Sequence, residues 1–348
     1  MNWLRFFGLG GELSQRAGVD VIFDISKLAL VGAVEVLKHL LTVKKAYQAI
    51  LTKINSEPPD LAILVDYPGF NLRLARELKR RSIPVVYYIS PQVWAWGMDR
   101  IGIIRTCINR IIVFFKFEEE LYKKHSIDVR FAGHPFLDSV KATLAREDML
   151  RKYELAGADK IVALMPGSRE SEVKTLLPVM ASAARIVGRK LKGVKFVVVK
   201  YPDLAINLYE KTLQNPFLNV RVINGDAYNV LSVSDLAVVA SGSVTLESAI
   251  IGTPIIITYK VSSLTYLLYK IVSRIRFLGL VNIIAGKEIA PELLQYNATP
   301  EKIAGAILKI LTNDKVRTDM RADLKKVSAS LGSPGASRRA ADAVLELL

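Results

Sequence analysis

The sequence predicts an α/β fold in which two Rossmann-like domains, each built on a parallel sheet, face one cleft. Short, β-prone apolar runs alternate with longer helical patterns along most of the chain, as βαβ units require. The length of 348 residues allows two domains with separate cores. Because ligands of open α/β sheets bind at the carboxyl ends of the strands, we expect the functional residues in the loops that follow them.

The predicted strands fall into two groups. The first sheet is predicted from residues 61–65, 85–89 and 110–115, with a helix over residues 71–81. The second sheet is predicted from residues 161–165, 195–199, 220–223, 236–240 and 254–258. Residues 142–160 are polar and lack a strand pattern, so we assign the domains to residues 1–150 and 151–348. We expect a terminal helix to pack back on the first domain.

Composition excludes several classes of protein. With 51% hydrophobic and 23% charged residues, the chain is globular and not disordered. No apolar run reaches the roughly 20 residues that cross a bilayer, and the start lacks the features of a secretory signal. One cysteine and three separated histidines argue against an internal disulfide and against a metal site. We therefore expect a cytoplasmic protein that binds no metal.

The net charge of +15 calls for an anionic partner. Nucleic acid, an anionic membrane surface and phosphorylated substrates all fit this charge. No nucleic-acid-binding motif is present, so a membrane surface and a phosphorylated substrate are favoured and nucleic acid is not expected.

A strand–turn–helix pattern at residues 161–173 predicts an anion site. Gly167 and Ser168 form a small-residue turn whose free backbone N–H groups would face an anion at the start of the helix. Arg169 adds a planar guanidinium suited to phosphate oxygens. A plain turn with a solvated arginine explains these residues equally well.

A second turn of this kind follows the strand at residues 236–240. Ser241, Gly242 and Ser243 form a loop that can approach a ligand closely, and Glu247 faces back toward it from the helix. A carboxylate there can bind both hydroxyls of a ribose, or can merely complement the helix dipole. The two turns together favour a diphosphate site with a ribose contact. The glycine patterns of NAD-binding and ATP-binding loops are absent, so no such cofactor is expected.

The first half offers four candidates for the acceptor side of the cleft. Asp66 follows a strand and is a candidate general base, although an aspartate there is more often a cap or turn former. Trp94 and Trp96 could line a sugar or acyl site or pack the domain. His134 could be catalytic, although a hydrogen-bonded structural histidine is the commoner case.

Taken in order, these segments resemble the lipid-A-disaccharide synthases. The resemblance runs from about Phe6 to the C-terminus. Its matching stretches are Val65-Asp-Tyr-Pro-Gly-Phe-Asn71, Ser90-Pro-Gln-Val-Trp-Ala-Trp96, Phe131-Ala-Gly-His-Pro135, Met165-Pro-Gly-Ser-Arg169, Ala240-Ser-Gly-Ser-Val-Thr-Leu-Glu247, Val261-Ser-Ser-Leu-Thr-Tyr266, Asn282-Ile-Ile-Ala-Gly-Lys-Glu288 and Pro291-Glu-Leu-Leu-Gln295.

The resemblance implies the GT-B arrangement and a metal-independent, inverting transfer without a cofactor. The donor would be UDP-2,3-diacylglucosamine, the acceptor 2,3-diacylglucosamine 1-phosphate, and the product a β-1,6-linked disaccharide 1-phosphate. Asp66 falls on the family's base, Arg169 on its essential arginine, and Glu247 and Asn282 on positions expected to hold the uridine part. The expected location is the cytoplasmic face of the inner membrane of a Gram-negative-type bacterium. A homodimer remains open.

Two features depart from the family pattern. Gly69 stands where many members carry a second aspartate. The family also opens with a strand, a Ser-Ala-Gly-Glu-x-Ser-Gly-Asp loop and a helix, whereas residues 6–10 match its second strand. We therefore expect the first domain to lack its first, central strand.

Two other readings stay open. One is another UDP-sugar enzyme of the same architecture, such as a 2-epimerase or an undecaprenyl-linked N-acetylglucosaminyltransferase. The other is a non-catalytic protein that binds a UDP-sugar or a lipid. Residues 31–53 and 264–280 combine apolar and basic side chains and are candidates for membrane docking, although core-facing helices give the same pattern.

Overall fold

The computed structural model describes residues 4–25, 35–95, 97–213, 220–261 and 276–348, and of residues 35–39 the backbone alone. Trp96 and most of the candidate docking segment 264–280 lie outside the described residues. No helix within the described residues is long and apolar enough to span a membrane.

The strands of the first half form two parallel sheets. The strands are β1 (Phe7–Gly10), β2 (Asp20–Asp24), β3 (Ala62–Val65), β4 (Val85–Tyr88), β5 (Arg110–Val113) and β6 (Val129–Phe131). Strands β1 and β2 pair with each other, and β3, β4, β5 and β6 pair in that order. Among the described residues, no backbone pairing joins the two sheets.

The helices of the first half connect or follow these strands. They are α1 (Glu12–Arg16), α2 (Glu35–Ser56), α3 (Pro68–Arg80), α4 (Ile101–Cys107), α5 (Lys116–Lys124), α6 (Phe136–Ser139) and α7 (Arg146–Lys152). Helix α3 begins with proline, whose fixed φ and missing N–H suit a first turn. Its apolar face, which includes Leu74 and Leu78, packs into a core with Ile50, Tyr87 and Tyr122.

Among the described residues of the second half, six strands form a parallel sheet in the order β12-β11-β10-β7-β8-β9. The strands are β7 (Lys160–Met165), β8 (Val194–Lys200), β9 (Val220–Asn224), β10 (Leu236–Ala240), β11 (Ile255–Tyr259) and β12 (Glu292–Leu294). The strand order reverses direction between β7 and β10. Such a reversal opens a crevice at the carboxyl ends of the strands, where ligands of open sheets bind.

The helices of the second half bury the sheet from both sides. They are α8 (Glu170–Lys190), α9 (Asn207–Leu213), α10 (Ala227–Val233), α11 (Val244–Ile251), α12 (Leu280–Ala285), α13 (Pro300–Thr312), α14 (Asp314–Ser330) and α15 (Ala336–Leu345). The hydrophobic core beneath them includes Met149 of α7 and Leu155.

The last helix leaves the second half and lies on the first. Ala340 and Ala343 of α15 pack on Val86 and Ile112, which point to the face of the four-stranded sheet opposite α3. Arg110 at the start of β5 donates hydrogen bonds to the Ala343 carbonyl at 2.8 Å and the Glu346 carboxylate at 2.6 Å. The last helix therefore packs on the sheet of the first half.

The structure confirms the predicted α/β class with parallel sheets. Each strand predicted from the sequence is present, with its ends displaced by at most two residues. The predicted helix at residues 71–81 begins three residues earlier, at Pro68. Three short strands were not predicted: β2, β6 and β12.

Candidate functional site

Asp66 lies in a tight loop between β3 and α3. Asp66 and Tyr67 both adopt left-handed backbone conformations, with φ of 47° and 40°. Non-glycine residues are uncommon there, and such strain persists where surrounding bonds enforce it. Asn71 donates to the carbonyl oxygens of Val65 and Asp66 at 2.8 and 2.7 Å, and the Tyr87 hydroxyl also donates to the Asp66 carbonyl. These bonds use the main chain and leave Asp66 solvent-exposed.

A basic cavity adjoins this loop. It has a volume of about 700 Å³ and lies between the start of α3 and the turn that leads into α4. Burial raises the pKa of the Tyr87 hydroxyl; Asp66 raises it further, whereas Arg100 lowers it. The cavity lining begins at Pro68, two residues after Asp66, and includes Arg100. The lining residues are Pro68, Gly69, Leu72, Arg73, Arg76, Asp99, Arg100 and Ile103.

Trp94 is held by a buried carboxyl group. The Trp94 indole N–H and the Ser90 hydroxyl each donate to the same oxygen of Glu118, at 3.1 Å. Burial raises the pKa of the Glu118 carboxyl to about 7, although both hydrogen bonds lower it. From the first turn of α5, Glu118 thus holds in place the segment that follows β4. The tryptophan segment is anchored at its buried side, and Trp96 lies outside the described residues.

His134 is surrounded by aromatic rings. Its ring centroid lies 4.5 Å from that of Phe136 and 5.4 Å from that of Phe114. Nδ1 accepts a hydrogen bond from the Phe136 N–H at 3.2 Å, and burial lowers the pKa of His134 to about 4. The backbone N–H of His134 donates to the Leu331 carbonyl at 2.9 Å. His134 is a neutral, packed histidine where the chain returns from the second half.

The turn after β7 differs from the expectation in one respect. Its backbone amides are not free, because the Glu172 carboxylate accepts from the N–H groups of Ser168 at 3.1 Å and Arg169 at 3.3 Å. The Arg169 guanidinium, whose side chain is 75% exposed, pairs with the same carboxylate at 3.0 Å. Glu172 stands at the third helical position, where a glutamate closes a capping box. A carboxylate thus occupies the position predicted for a bound anion.

The turn after β10 places the predicted residues together. The Ser243 hydroxyl donates to the Glu247 carboxylate at 3.1 Å, and the Ser241 hydroxyl donates to the Leu278 carbonyl at 3.2 Å. Gly242 is exposed between them. Burial raises the pKa of the Glu247 carboxyl, while the Ser243 bond lowers it. A half-buried carboxylate therefore faces the loop.

Asn282 is fully buried, and its amide is saturated with internal hydrogen bonds. Its Nδ2 donates to the Ala290 carbonyl and to Glu292, both at 2.8 Å, and its Oδ1 accepts from the N–H groups of Ile289 and Ala290. An amide group has two donors and one acceptor oxygen with two lone pairs. Asn282 therefore shapes the segment before β12 and has no hydrogen-bonding capacity left for a ligand.

Sequence reasoning missed several residues of these clusters. Glu172 carried a usable signal, since it stands three residues after Arg169 at the capping-box spacing. Glu118 and Tyr87 carried none, because their partners lie 24 and 21 residues away in sequence. The contacts of the Asp66 loop lie in the first half, and those of Arg169 and Glu247 lie in the second.

Known proteins resemble this chain over nearly its whole length. The lipid-A-disaccharide synthetase family model matches residues 1–346. The lipid-A-disaccharide synthase of Syntrophus aciditrophicus is 43% identical over 350 residues, which cover 99% of this chain and 90% of that protein. The synthase of Geobacter sulfurreducens is 39% identical over 345 residues, with the same two coverages.

Solved structures share the architecture at low sequence identity. The UDP-GlcNAc 2-epimerase of Neisseria meningitidis, bound to UDP-GlcNAc, superposes with a TM-score of 0.61 at 12% identity and covers 94% of this chain and 86% of its own. A UDP-bound Staphylococcus aureus structure has a TM-score of 0.61 at 13% identity and covers 99% and 98%. These likenesses show the GT-B fold alone.

Proposed function

The chain belongs to the lipid-A-disaccharide synthetase family, and from this membership we propose that it condenses UDP-2,3-diacylglucosamine with 2,3-diacylglucosamine 1-phosphate. It is a glycosyltransferase of lipid A biosynthesis. The proposed products are the β-1,6-linked disaccharide 1-phosphate and UDP. The observation that carries the proposal is the family match over residues 1–346, which includes both the Asp66 loop and the Arg169 turn.

In the proposed reaction, the 6-hydroxyl oxygen of the acceptor attacks C1 of the donor sugar. A bond forms between that oxygen and C1, and the bond from C1 to the diphosphate oxygen breaks, so that UDP departs with the electron pair. Attack from the opposite face inverts the configuration at C1. Asp66 takes the proton of the hydroxyl as general base. Its exposure at the end of β3, on a loop fixed through the main chain, supports this role.

The proposed diphosphate site is the turn of Gly167, Ser168 and Arg169. The Arg169 guanidinium would bind phosphate oxygens and stabilise the charge that develops on departing UDP. Arg169 is exposed and bound to one carboxylate, so it can exchange that partner for the diphosphate. The same exchange would free the two amides that Glu172 now occupies.

The proposed nucleoside site is the turn after β10. Glu247 would accept hydrogen bonds from the ribose hydroxyls, with Ser241, Gly242 and Ser243 lining the approach. Asn282 is proposed as a positioning residue, because its amide forms all its hydrogen bonds with the segment that leads into β12.

Trp94 is proposed to line the acceptor side, where Glu118 holds it by a hydrogen bond. Trp96 remains a candidate for the same role. His134 is proposed to be a packing residue.

The decisive experiment supplies both acylated sugars in detergent micelles and measures UDP release together with disaccharide formation by mass spectrometry. We expect both products in equal amounts. Binding of UDP without turnover would instead indicate a non-catalytic relative. In a parallel reaction that supplies UDP-GlcNAc, its conversion to the 2-epimer, with no disaccharide formed in the first reaction, would indicate the other enzyme class.

We also propose that the protein docks on an anionic membrane surface through α2. Leu40 and Leu41 are each 58% exposed, and Lys44 and Lys45 are exposed one turn later. Ile50, in contrast, belongs to the core. An apolar pair beside basic side chains suits a lipid interface. Sedimentation with phosphatidylglycerol vesicles should fall in the Leu40→Gln, Leu41→Gln double variant and in high salt, and binding that is indifferent to both would contradict the proposal.

A further inference from the structure

The basic cavity beside the Asp66 loop has no role in the chemistry described above. Three arginines, Arg73, Arg76 and Arg100, line it together with a single carboxylate, Asp99. Its walls also include the apolar side chains of Pro68, Leu72 and Ile103. A cavity of about 700 Å³ is within the range that holds a small ligand. Its charge favours an anion, and its apolar part favours a ligand with a non-polar body.

The arginines of the cavity differ from others on the same helix. Arg80 and Arg81, at the end of α3, form ion pairs with Glu77. Within the described part of the chain, no carboxylate lies within 4.0 Å of the guanidinium nitrogens of Arg73, Arg76 or Arg100. Positions 73 and 76 are three apart on α3 and therefore share one side of the helix. The cavity thus presents guanidinium groups that are not neutralised by an ion-pair partner.

Two of these arginines lie against neighbouring residues. The Arg73 guanidinium lies over the ring of Tyr47, 5.2 Å from its centroid. Arg100 folds back over the turn that precedes it, where Gly97 has φ of 95° and an added Cβ would lie 3.2 Å from the Arg100 Nε. Any side chain at position 97 would therefore be strained and would crowd this guanidinium. The contact with Tyr47 restricts the Arg73 guanidinium and so reduces the conformational entropy that binding a ligand would cost.

We propose that this cavity binds the phosphate monoester of the acceptor sugar. The proposal rests on the function proposed above and extends it by assigning a subsite. The guanidinium fork matches phosphate oxygens, and hydrogen bonds to a charged group are the stronger kind. The location fits the acceptor, because Pro68 and Gly69 line the cavity and follow Asp66 within three residues.

The chemistry of the acceptor requires a phosphate site in such a place. The phosphate and the 6-hydroxyl are carried on either side of the ring oxygen of one sugar. A base that reaches the 6-hydroxyl therefore needs an anion site within one sugar's width. The cavity adjoins the Asp66 loop through Pro68 and Gly69, and Arg100 is part of its lining. The donor's diphosphate, in contrast, is assigned to the second half.

The first experiment measures KM for donor and acceptor separately, in neutral detergent micelles, for Arg73→Gln, Arg76→Gln and Arg100→Gln. We expect the acceptor KM to rise at least about tenfold, the size of one lost hydrogen bond to a charged group. The donor KM should stay within about twofold of wild type. Lys79→Gln is the matched control, an exposed cation on α3 outside the cavity lining. Unchanged melting temperatures would show that the variants fold.

Three outcomes would overturn the assignment. In the first, the acceptor KM matches wild type in all three variants. In the second, the donor KM rises together with the acceptor KM. The defect could also appear only when anionic vesicles replace neutral micelles, which would make the arginines a membrane contact.

A second experiment separates this proposal from the proposed function. Ligand-observed NMR compares glucosamine 1-phosphate with glucosamine on wild type and on the Arg73→Gln, Arg76→Gln double variant. We expect binding of the phosphate by wild type alone and of glucosamine by neither. If wild type forms no disaccharide yet binds the phosphate through these arginines, the function fails and the subsite stands. If disaccharide forms and neither glucosamine 1-phosphate binding nor the acceptor KM depends on these arginines, the subsite fails and the function stands.

Discussion

The main-chain oxygen of Asp66 receives hydrogen bonds from two side chains, Asn71 on α3 and Tyr87 on β4. This arrangement keeps a left-handed aspartate in place without using its carboxylate. A residue whose backbone is fixed by others and whose side chain is exposed is well placed to act on a substrate. The same description does not fit His134 or Asn282, whose side chains are buried and bonded within the protein.

We expect Asp66→Asn to reduce disaccharide formation by about 10²–10⁴, the usual loss when a general base is removed. UDP affinity should stay near wild type, because the change leaves the diphosphate turn intact. Turnover measurements and UDP titration test both parts. Asp60→Asn is the control, an exposed aspartate before the other end of β3. Turnover near wild type in Asp66→Asn would give Asp66 a structural role.

We expect Arg169→Ala to weaken UDP binding and turnover together, since the guanidinium would contact the diphosphate before and during transfer. Arg169→Lys should restore only part of each, because an ammonium group cannot form two parallel hydrogen bonds to phosphate. Calorimetric titration with UDP measures the first effect. An alanine variant that binds UDP as tightly as wild type would remove the phosphate site from this turn.

Glu118 gives the protein a predictable pH dependence of stability. Burial raises its pKa from 4.5 in the unfolded chain to about 7 in the fold. The folded state therefore binds more protons between these values, and stability falls as pH rises through that window. Complete ionisation in the fold costs about 3 kcal/mol relative to low pH. Glu118→Gln, which keeps an acceptor for Ser90 and Trp94, should flatten this decline in urea unfolding between pH 5 and pH 8.

At the scale of elements, the sequence predicts what short-range patterns encode. Strand β10, Leu-Ala-Val-Val-Ala, was predicted to the residue because every position is buried and apolar. Strand β6, Val-Arg-Phe, was missed because three residues with a central arginine carry too little pattern. The turns after β7 and β10 were found because strand, small residues and helix adjoin in sequence. The contact between Glu118 and Trp94 was not predicted, because it depends on how two separate parts of the chain pack together.

The capping of α8 leads to a prediction about stability. Glu172→Ala removes the acceptor of two backbone N–H groups at the first turn, which should lower the free energy of unfolding by about 1 kcal/mol. Glu170→Ala is the matched control on the same turn. Its carboxylate pairs with exposed Lys174, an interaction worth about 0.5 kcal/mol or less. Equal losses in the two variants would contradict the capping role.

At the scale of the whole molecule, the C-terminal segment ties the two halves together. Gly332 of this segment lies against Gly133 of the first half. A Cβ added to Gly332 would lie 3.2 Å from the Gly133 Cα. The Arg339 guanidinium then donates to the Ala132 carbonyl at 2.8 Å. Both glycines also have positive φ. Larger residues are therefore excluded here both by the backbone conformation and by the close approach of the two chain segments. Because the C-terminal segment is packed on the first half, it limits how far the two halves can move apart.

Arg110 holds the end of that segment in place, and its removal should lower the stability of the whole molecule. Its side chain, 8% exposed, binds Asp128 at 2.7 Å, Glu346 at 2.6 Å and the Ala343 carbonyl. We expect Arg110→Ala to lower the free energy of unfolding by about 2–4 kcal/mol, since several bonds to charged groups are lost at once. Helix α15 should then be released first, so limited proteolysis should cut near residues 331–336.

Arg130→Ala is the matched control for this prediction. Arg130 contacts the same two carboxylates, Asp128 at 2.6 Å and Glu346 at 3.8 Å, but its side chain is 47% exposed. An exposed pair of this kind is worth at most about 1 kcal/mol. If the two variants lose equal stability and resist protease alike, burial of Arg110 is not what holds the last helix. The packing of Ala340 and Ala343 on Val86 and Ile112 would then be sufficient to retain it.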